Sequence, residues 1–364
     1  MATCPASELA PPGEGADETA ALADRVRRAA DARRPLRIIG GDTKAWLGRP
    51  VEGEPLALSA HHGIVSHDPS ELVLTARAGT PLAEIEAQLS AHGQMLGFEP
   101  PRFGAASTIG GVVASGLSGQ RRPFVGAVRD FVLGVAILDG RGRRLRFGGT
   151  VFKNVAGFDG FRLMAGAMGL LGVILEVSLR VVPRPRAESA LAFEMDSESA
   201  RLWVADKLRG PTPISGAVHD GARLRLRLSG GEAAMRAAGA ALGGEAAPLD
   251  FWESLRDAPH PASTPDAPLW RLCLPRRAPP PDIGDLVAWD WAGAQRWVVS
   301  DLSAEAVWRA AAEAGGHATR IHAPAAADEV FQPLPPAMLA LHQRLKAALD
   351  PAWVLNPGRL YREL

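Results

Sequence analysis

The sequence predicts an α+β fold in two unequal parts, and three observations carry that expectation. Short apolar runs of strand length alternate with amphipathic helical stretches along most of the chain. Three glycine-rich segments, near residue 40, at 101–130 and near residue 166, all fall in the first half. The aromatic composition then changes behind Pro183-Arg184-Pro185: eight of the eleven phenylalanines lie between Phe98 and Phe161, and seven of the nine tryptophans between Trp203 and Trp308. A chain of 364 residues is long enough for two domains. The expected division is a flexible tail at 1–18, a first domain at 19–185, a second at 186–325 and a segment at 326–364 that folds back on the first.

Charge and cysteine content narrow the function. Forty basic and forty acidic residues cancel, so no global field points to nucleic acid or anionic lipid. Cys4 and Cys273 are the only cysteines, which excludes a disulfide framework and any Cys-x-x-Cys metal site. No metal is expected, and a reducing compartment fits. The N-terminus carries Glu8, Glu14, Asp17 and Glu18 without an apolar core, unlike a signal peptide. The most apolar run, 163–175, is too short to span a bilayer. A cytoplasmic protein without a membrane span is expected.

Taken in order, residues 19–33 place Leu22, Val26 and Ala29 on one face of a helix. Leu36-Arg37-Ile38-Ile39 reads as a short buried strand, and Gly40-Gly41-Asp42-Thr43-Lys44 at its end can turn consecutive N–H groups toward an anion. Residues 72–76 form a second strand, and Thr80-Pro81 starts a helix with Thr80 as its cap. After the glycine-rich stretch, 131–138 is a strand that turns at Asp139-Gly140-Arg141-Gly142 into 143–147. Lys153 to Asp159 leads into a short helix, and Gly166, Gly169 and Gly172 precede a strand ending near Val182. Beyond the boundary, helices are expected at 197–209, 232–242 and 303–314 among short strands. In one of these, 223–229, arginine and leucine alternate. A solvated arginine face is the expected reading there, with an anion-binding face as the alternative. A last helix is expected at 336–349.

Residues 101–130 hold six glycines, three serines, one threonine and four arginines around a short apolar run. Such a stretch lets backbone approach a ligand closely while N–H groups, hydroxyls and guanidiniums face it, which suits a diphosphate; the alternative is a loop that only turns a corner. A bulky residue at Gly41 or Gly111 is then expected to remove the ligand rather than the fold. The common nucleotide motifs are missing: there is no G-x-G-x-x-G and no Gly-Lys dipeptide, and neither G-x-S-x-G nor H-E-x-x-H occurs. No cluster of histidine with arginine stands out in the sequence.

The order of these segments resembles the flavoprotein superfamily named for p-cresol methylhydroxylase and vanillyl-alcohol oxidase, from about Leu36 to Val182 and again at 350–359. Within it the chain is most similar to the smaller FAD-binding subunit of bacterial glycolate oxidase, a likeness carried best by Lys153-Asn154-Val155-Ala156-Gly157-Phe158-Asp159. The resemblance implies a two-lobed FAD-binding domain with a smaller antiparallel cap. It implies FAD held by Gly40, Gly41, Asp42, Thr43 and Lys44 at the pyrophosphate, by Ser107, Thr108, Gly110 and Gly111 as a second loop, and by Gly116, Ser118 and Gly119 against the flavin. Gly126, Arg129 and Asp130 match the following turn. Gly169, Gly172, Val173 and Ile174 match a strand that reaches the cofactor, and Asn356 the closing turn. Asp42 and Thr43 stand where relatives with covalent flavin have histidine, so non-covalent FAD is implied. In the Gly-Thr-Leu-Gly-Val-Ile-Thr pattern of the family both threonines are leucine here, Leu170 and Leu175. Relatives carry Gly-His-x-Gly-Asp-Gly-Asn-x-His, whereas Gly316 to His322 is shorter, and no catalytic base is assigned. His317 and His322 are read as ordinary histidines rather than a catalytic pair.

By this resemblance the chain is the FAD subunit of a glycolate (2-hydroxyacid) dehydrogenase complex. Hydride passes to flavin and electrons onward to partners, a second FAD-binding catalytic subunit and an iron–sulfur subunit. The complex can sit peripherally at the inner membrane. Two alternatives stay open: a self-sufficient FAD-dependent dehydrogenase, and a structural subunit whose FAD is vestigial.

Overall fold

In a computed structural model, residues 15–149, 159–257, 268–322 and 329–364 are described. The motif at 153–158, Cys4 and most of the expected tail lie outside them. Five strands, in the order Ile64–Asp68, Val73–Arg77, Val173–Arg180, Val132–Leu138 and Arg144–Gly148, form an antiparallel sheet in the first part. Val173–Arg180 is buried at seven of its eight residues because both faces of the sheet are covered. On one side Leu74, Phe98 and Phe131 pack with Ile85 and Leu89 of helix Leu82–Ala91 and with Ile109 and Val113 of helix Ile109–Ser115. On the other, Leu22 and Val26 of helix Thr19–Ala32 meet Leu36, Leu56, Val173 and Leu355. The hairpin at Asp139 is fixed locally: its Oδ1 accepts from the N–H groups of Arg141 and Arg143, both at 2.9 Å.

A short parallel pair, Leu36–Ile39 with Glu54–Ala57, lies beside this sheet. The C-terminal turn joins it, with Leu36 donating to the Val354 carbonyl at 2.7 Å. Helix Pro336–Leu349 anchors that turn through a buried pair at its end. Lys346 Nζ lies 2.7 Å from Asp350 and donates to the carbonyls of Leu355 and Leu170, while Asp350 accepts from Val354 and Leu355 N–H.

The second sheet has eight antiparallel strands among the described residues, drawn from 187–322. Helices Ser197–Lys207 and Ala304–Glu313 start at side-chain caps, Asp196 and Ser303. No helix among the described residues is long and apolar enough to cross a membrane.

Three sequence expectations need correction. Thr80 does not cap the second helix, which starts at Leu82 behind Pro81. Its hydroxyl is spent on Gly63 N–H and the Arg77 carbonyl, where it is fully buried. The end of the expected flexible tail, 15–18, is held, since Glu18 N–H donates to His61 Nδ1 at 3.1 Å. The arginine face of Leu224–Gly230 is not uniformly solvated. Arg227 is buried against Glu99 of the first part at 2.8 Å, and Glu99 also takes Arg121 Nε at 2.8 Å. Burial pushes the Glu99 carboxyl up, but the two guanidiniums outweigh it and hold it below its usual range. Alternation along a strand cannot reveal what covers a face.

The seam between the two sheets holds a second buried carboxylate. Asp290 Oδ2 accepts from Gln120, Gln295 and Trp297 at 3.2, 3.0 and 3.3 Å, while Asp290 Oδ1 and the Oε1 atoms of both glutamines have no partner among the described residues. Burial pushes its pKa up to about 6. The folded value exceeds the unfolded one, so the protonated form is favoured by folding, and that contribution is complete below about pH 4 and lost as pH rises through 6. Asp290→Asn keeps an acceptor, adds a donor for an orphaned glutamine oxygen and removes the charge. We expect it to stabilise the protein at pH 8 by about 1–3 kcal/mol and by about half as much at pH 5. Urea unfolding at the two pH values checks this; an equal shift at both would contradict the assignment.

Candidate functional site

A cavity of about 250 Å³ opens where three chain segments meet in the first part. One wall is Gly40 to Lys44. Among the described residues, none of these five N–H groups donates to a protein acceptor. Asp42 sits at φ 54°, a left-handed position tolerated by aspartate, and its carboxylate is held by Arg37 at 2.5 Å. Consecutive free N–H groups around a left-handed residue form a concavity suited to an anion.

Two cations face the same space without a carboxylate within 4.0 Å among the described residues. Lys44 is 9% exposed, and its Nζ donates to Ser107 Oγ at 3.0 Å, to the Arg102 carbonyl at 3.2 Å and to Thr43 Oγ1 at 3.3 Å. Burial lowers its pKa to about 8. Arg359 donates to the carbonyls of Arg49, Ala45 and Lys44 at 2.7, 3.0 and 3.2 Å, and burial lowers its pKa too. Lys44, buried and held only by neutral oxygens, keeps an uncompensated charge until an anion arrives, whereas the half-buried Arg359 also feels the Asp42 carboxylate on the same wall.

The second wall is the start of helix Ile109–Ser115. Thr108 caps it, accepting from Gly111 N–H at 3.3 Å. Ile109 and Gly110 donate to the Thr80 and Ala78 carbonyls, so those N–H groups are already used by the protein. The glycines divide by what a side chain would meet. A Cβ at Gly110 lies 2.6 Å from Ala78 Cβ, and one at Gly41 lies 1.5 Å from the Ala106 carbonyl oxygen, so both are required by packing. At Gly111 the nearest atom is Thr108 Oγ1 at 3.3 Å, and the residue lines the cavity. The expectation that Gly41 and Gly111 are equivalent is thereby corrected: Gly41 serves the fold first.

Met168, Gly169, Gly172 and Ile174 form the third wall. Asn356 stitches it to the first, donating from Nδ2 to the Met168 carbonyl at 2.6 Å and accepting Ile38 N–H at 2.8 Å.

Of the residues expected from the sequence, Gly40, Gly41, Asp42, Thr43, Lys44, Thr108, Gly110, Gly111, Gly169, Gly172, Ile174 and Asn356 line the cavity. Ser107 supports it by holding Lys44. The others stand apart. Val173 is fully buried in the core on the strand's opposite face. The helix carries the chain away, about 10 Å over seven residues, and closes at Gly116, whose φ of 68° is its left-handed cap. Beyond that point Ser118 Oγ accepts Val128 N–H, Gly119 N–H donates to the Phe98 carbonyl, and Gly126 caps the next turn at φ 106°. The side chain of Arg129 is 66% exposed and lies 4.0 Å from Asp130. The Gly116, Gly119 and Gly126 amides are thus already used by the carbonyls of Val113, Phe98 and Arg122. His317 and His322 stand at opposite ends of one strand, their backbones about 16 Å apart by strand rise.

Sequence reasoning missed Arg359, Arg37 and Ser115 as lining residues. Arg359 follows the Asn-Pro-Gly turn that had been singled out, but nothing in its position separates it from the many surface arginines.

No histidine, cysteine or tyrosine lines the cavity among the described residues, so no side chain usual for covalent flavin attachment is present. Free amides, the uncompensated Lys44 and the Arg359 guanidinium match the charge of a diphosphate. The donor set fits FAD.

Comparison with known proteins agrees with this chemistry. The family model for an FAD binding domain matches residues 15–148, and that for the C-terminal domain of FAD linked oxidases matches 295–360. Glycolate oxidase subunit GlcE of Escherichia coli (strain K12) is 48% identical over 348 residues, covering 96% of this chain and 99% of that protein. Glycolate oxidase subunit GlcD of Bacillus subtilis (strain 168) is 31% identical over 43% of this chain and 34% of its own length. D-lactate dehydrogenase of Anaerostipes hadrus is 29% identical over 40% of this chain and 30% of its own length. A solved structure of alkyldihydroxyacetonephosphate synthase covers 93% of this chain and 75% of its own, with a TM-score of 0.63 at 14% identity, a likeness of fold.

Proposed function

Because the chain belongs to the family of FAD-linked oxidases that includes glycolate oxidase subunit GlcE, we propose that it is the FAD-carrying subunit of a complex that oxidises glycolate or a related 2-hydroxyacid. The observation that carries the reading is the cavity wall at Gly40 to Lys44, with five unpartnered N–H groups beside the uncompensated Lys44 and the Arg359 guanidinium. In this reading those amides and cations hold the diphosphate of non-covalent FAD, Gly111 gives it room, and Asn356 keeps the three walls in register. Gly116, Ser118, Gly119, Gly126, Arg129 and Val173 act through the fold. The chemistry supplied at such a site is that of flavin, which takes hydride from a substrate carbon and passes electrons on. The partners are a second FAD-binding subunit and an iron–sulfur subunit, with the complex peripheral at the inner membrane. The division at 19–185, 186–325 and 326–364 is part of the same proposal, with 326–364 closing the FAD site through Asn356 and Arg359.

Lys44 gives the reading a pH signature. Its ammonium is lost near pH 8 in the free protein, whereas a bound diphosphate favours the charged form, so FAD binding takes up a proton above that pH. The dissociation constant should rise up to tenfold per pH unit above about 8 and stay flat below it. Lys44→Met should remove this dependence and weaken FAD by roughly tenfold to a hundredfold at pH 7. Flavin fluorescence titration from pH 6.5 to 9.5 measures both; a flat profile in the wild type would count against Lys44 as a phosphate ligand.

A further inference from the structure

Helix Pro336–Leu349 lies at the surface and is apolar on its outward side as well as its inward one. Inward, Leu339 packs against the cluster of Leu47, Met168 and Leu170, Leu349 packs against the first core, and Lys346 is spent on Asp350 and two carbonyls. Ala337, Leu341, Arg344 and Ala348 recur at three- and four-residue steps, which sets them on the opposite face. All four are exposed, as is Ala340 beside them. Leu341 is 42% exposed, and Met338 at the edge of the face 44%. A surface helix ordinarily turns charged residues to water. This one has fourteen residues and no carboxylate, and Arg344 is its only exposed charge.

The charge around this face has one sign. Arg344 has no carboxylate within 4.0 Å among the described residues. At the C-terminal end Arg141 donates to the Ala348 carbonyl at 3.3 Å, where the helix dipole favours a cation. Asp139 is fully buried and shared, 4.0 Å from Arg141 and 2.7 Å from Arg143, so those three groups leave one positive charge in excess.

These features choose among occupants. A second copy would set Arg344 against a face that holds no carboxylate, and like charges repel. A helix that lies in a lipid interface carries aromatic anchors and several cations on its polar face, whereas this one has no Trp, Tyr or Phe. Outward alanines instead let another backbone come within the separation of about 8–10 Å at which helices pack.

We propose that the outward face of helix Pro336–Leu349 is the docking surface for a helix of a partner subunit, apolar along one stripe and carrying a carboxylate that meets Arg344. It rests on the reading above in one respect, that the chain works within a complex. The strip is about 21 Å long and about 10 Å wide, well below the roughly 800 Å² per partner of a stable complex. The occupant is therefore a folded subunit whose contact runs on past Ala348 to Arg141.

The test is interferometric titration of the full chain against the purified second FAD-binding subunit and the purified iron–sulfur subunit. One of the two should bind. Leu341→Glu and Arg344→Glu should each weaken that binding at least tenfold, and Arg344→Glu should also lower its salt dependence, whereas Arg344→Lys stays close to wild type. Arg236→Glu, on the exposed helix Glu232–Leu242, is the control and should change nothing. FAD content and thermal midpoint should hold their wild-type values in every variant, because the altered side chains lie on the face away from Lys346. Unchanged affinity in both Leu341→Glu and Arg344→Glu, or no binding of either subunit by the wild type, overturns the proposal. So does a wild-type dimer that Leu341→Glu turns into a monomer in sedimentation, or binding to phosphatidylglycerol vesicles that the same change abolishes. A chain that binds a partner through this face but holds no FAD would defeat the earlier reading of the cavity and leave this one standing.

Discussion

Turnover of glycolate with an artificial dye acceptor should be at least a hundredfold higher per flavin when this subunit is co-expressed with its partners than when it is purified alone. Oxidising a 2-hydroxyacid needs a base for the hydroxyl or α proton, a cation for the carboxylate and an exit for electrons. Among the described residues the buried carboxylates of the seam, Asp290 and Glu99, are both spent on protein donors, and the stretch from Gly316 to His322 lacks the Gly-Asp-Gly-Asn core of the family pattern. Electron exit is the harder requirement. With two cysteines, one of them half-buried and its thiol pushed up by desolvation, this chain cannot ligate an iron–sulfur cluster alone. Equal activity per flavin in both samples would favour a self-sufficient dehydrogenase. Flavin that stays oxidised within an active complex would favour a structural role.

Gly111→Val should weaken FAD at least a hundredfold, roughly 3 kcal/mol, with the apo fold close to intact. The new side chain projects from the helix start into the cavity, where its nearest neighbour is Thr108 Oγ1 at 3.3 Å. Its cost to the fold is the poorer helix propensity of a β-branched residue, offset by the removal of a helical glycine. Gly41→Val contrasts with it. Its Cβ would stand 1.5 Å from the Ala106 carbonyl oxygen, so backbone must move and the fold itself should lose roughly 3–5 kcal/mol. Flavin titration beside urea unfolding of both variants separates the two effects. Full FAD occupancy in Gly111→Val would put the cofactor elsewhere.

The contrast between these glycines marks how far the sequence could be read. A glycine pair directly after a strand, and glycines at 169 and 172 leading into another, signalled close backbone approach, and both lie at the cavity. The direction of each Cα–H bond was not legible, because Gly110 and Gly111 differ only in which side of one helical turn they occupy. Gly116, Ser118, Gly119 and Gly126 carry the same signature and lie beyond the helix, next to Gly166, Val128, Phe98 and Asp130. The helices and most strands followed from periodicity and caps. Thr80 failed because a buried hydroxyl found tertiary partners, and Arg227 because an apparently solvated face is covered by Glu99. Counter-ions are a tertiary property: Lys44 becomes notable only once no carboxylate is seen beside it among the described residues.

The most direct test of the account is the flavin content of the purified protein. The chain should be yellow, carry one FAD per polypeptide, and release it into the supernatant on acid precipitation, since no histidine, cysteine or tyrosine lines the cavity among the described residues. A folded chain without flavin that does not take up added FAD would contradict the account, and flavin remaining with the precipitate would contradict its non-covalent site.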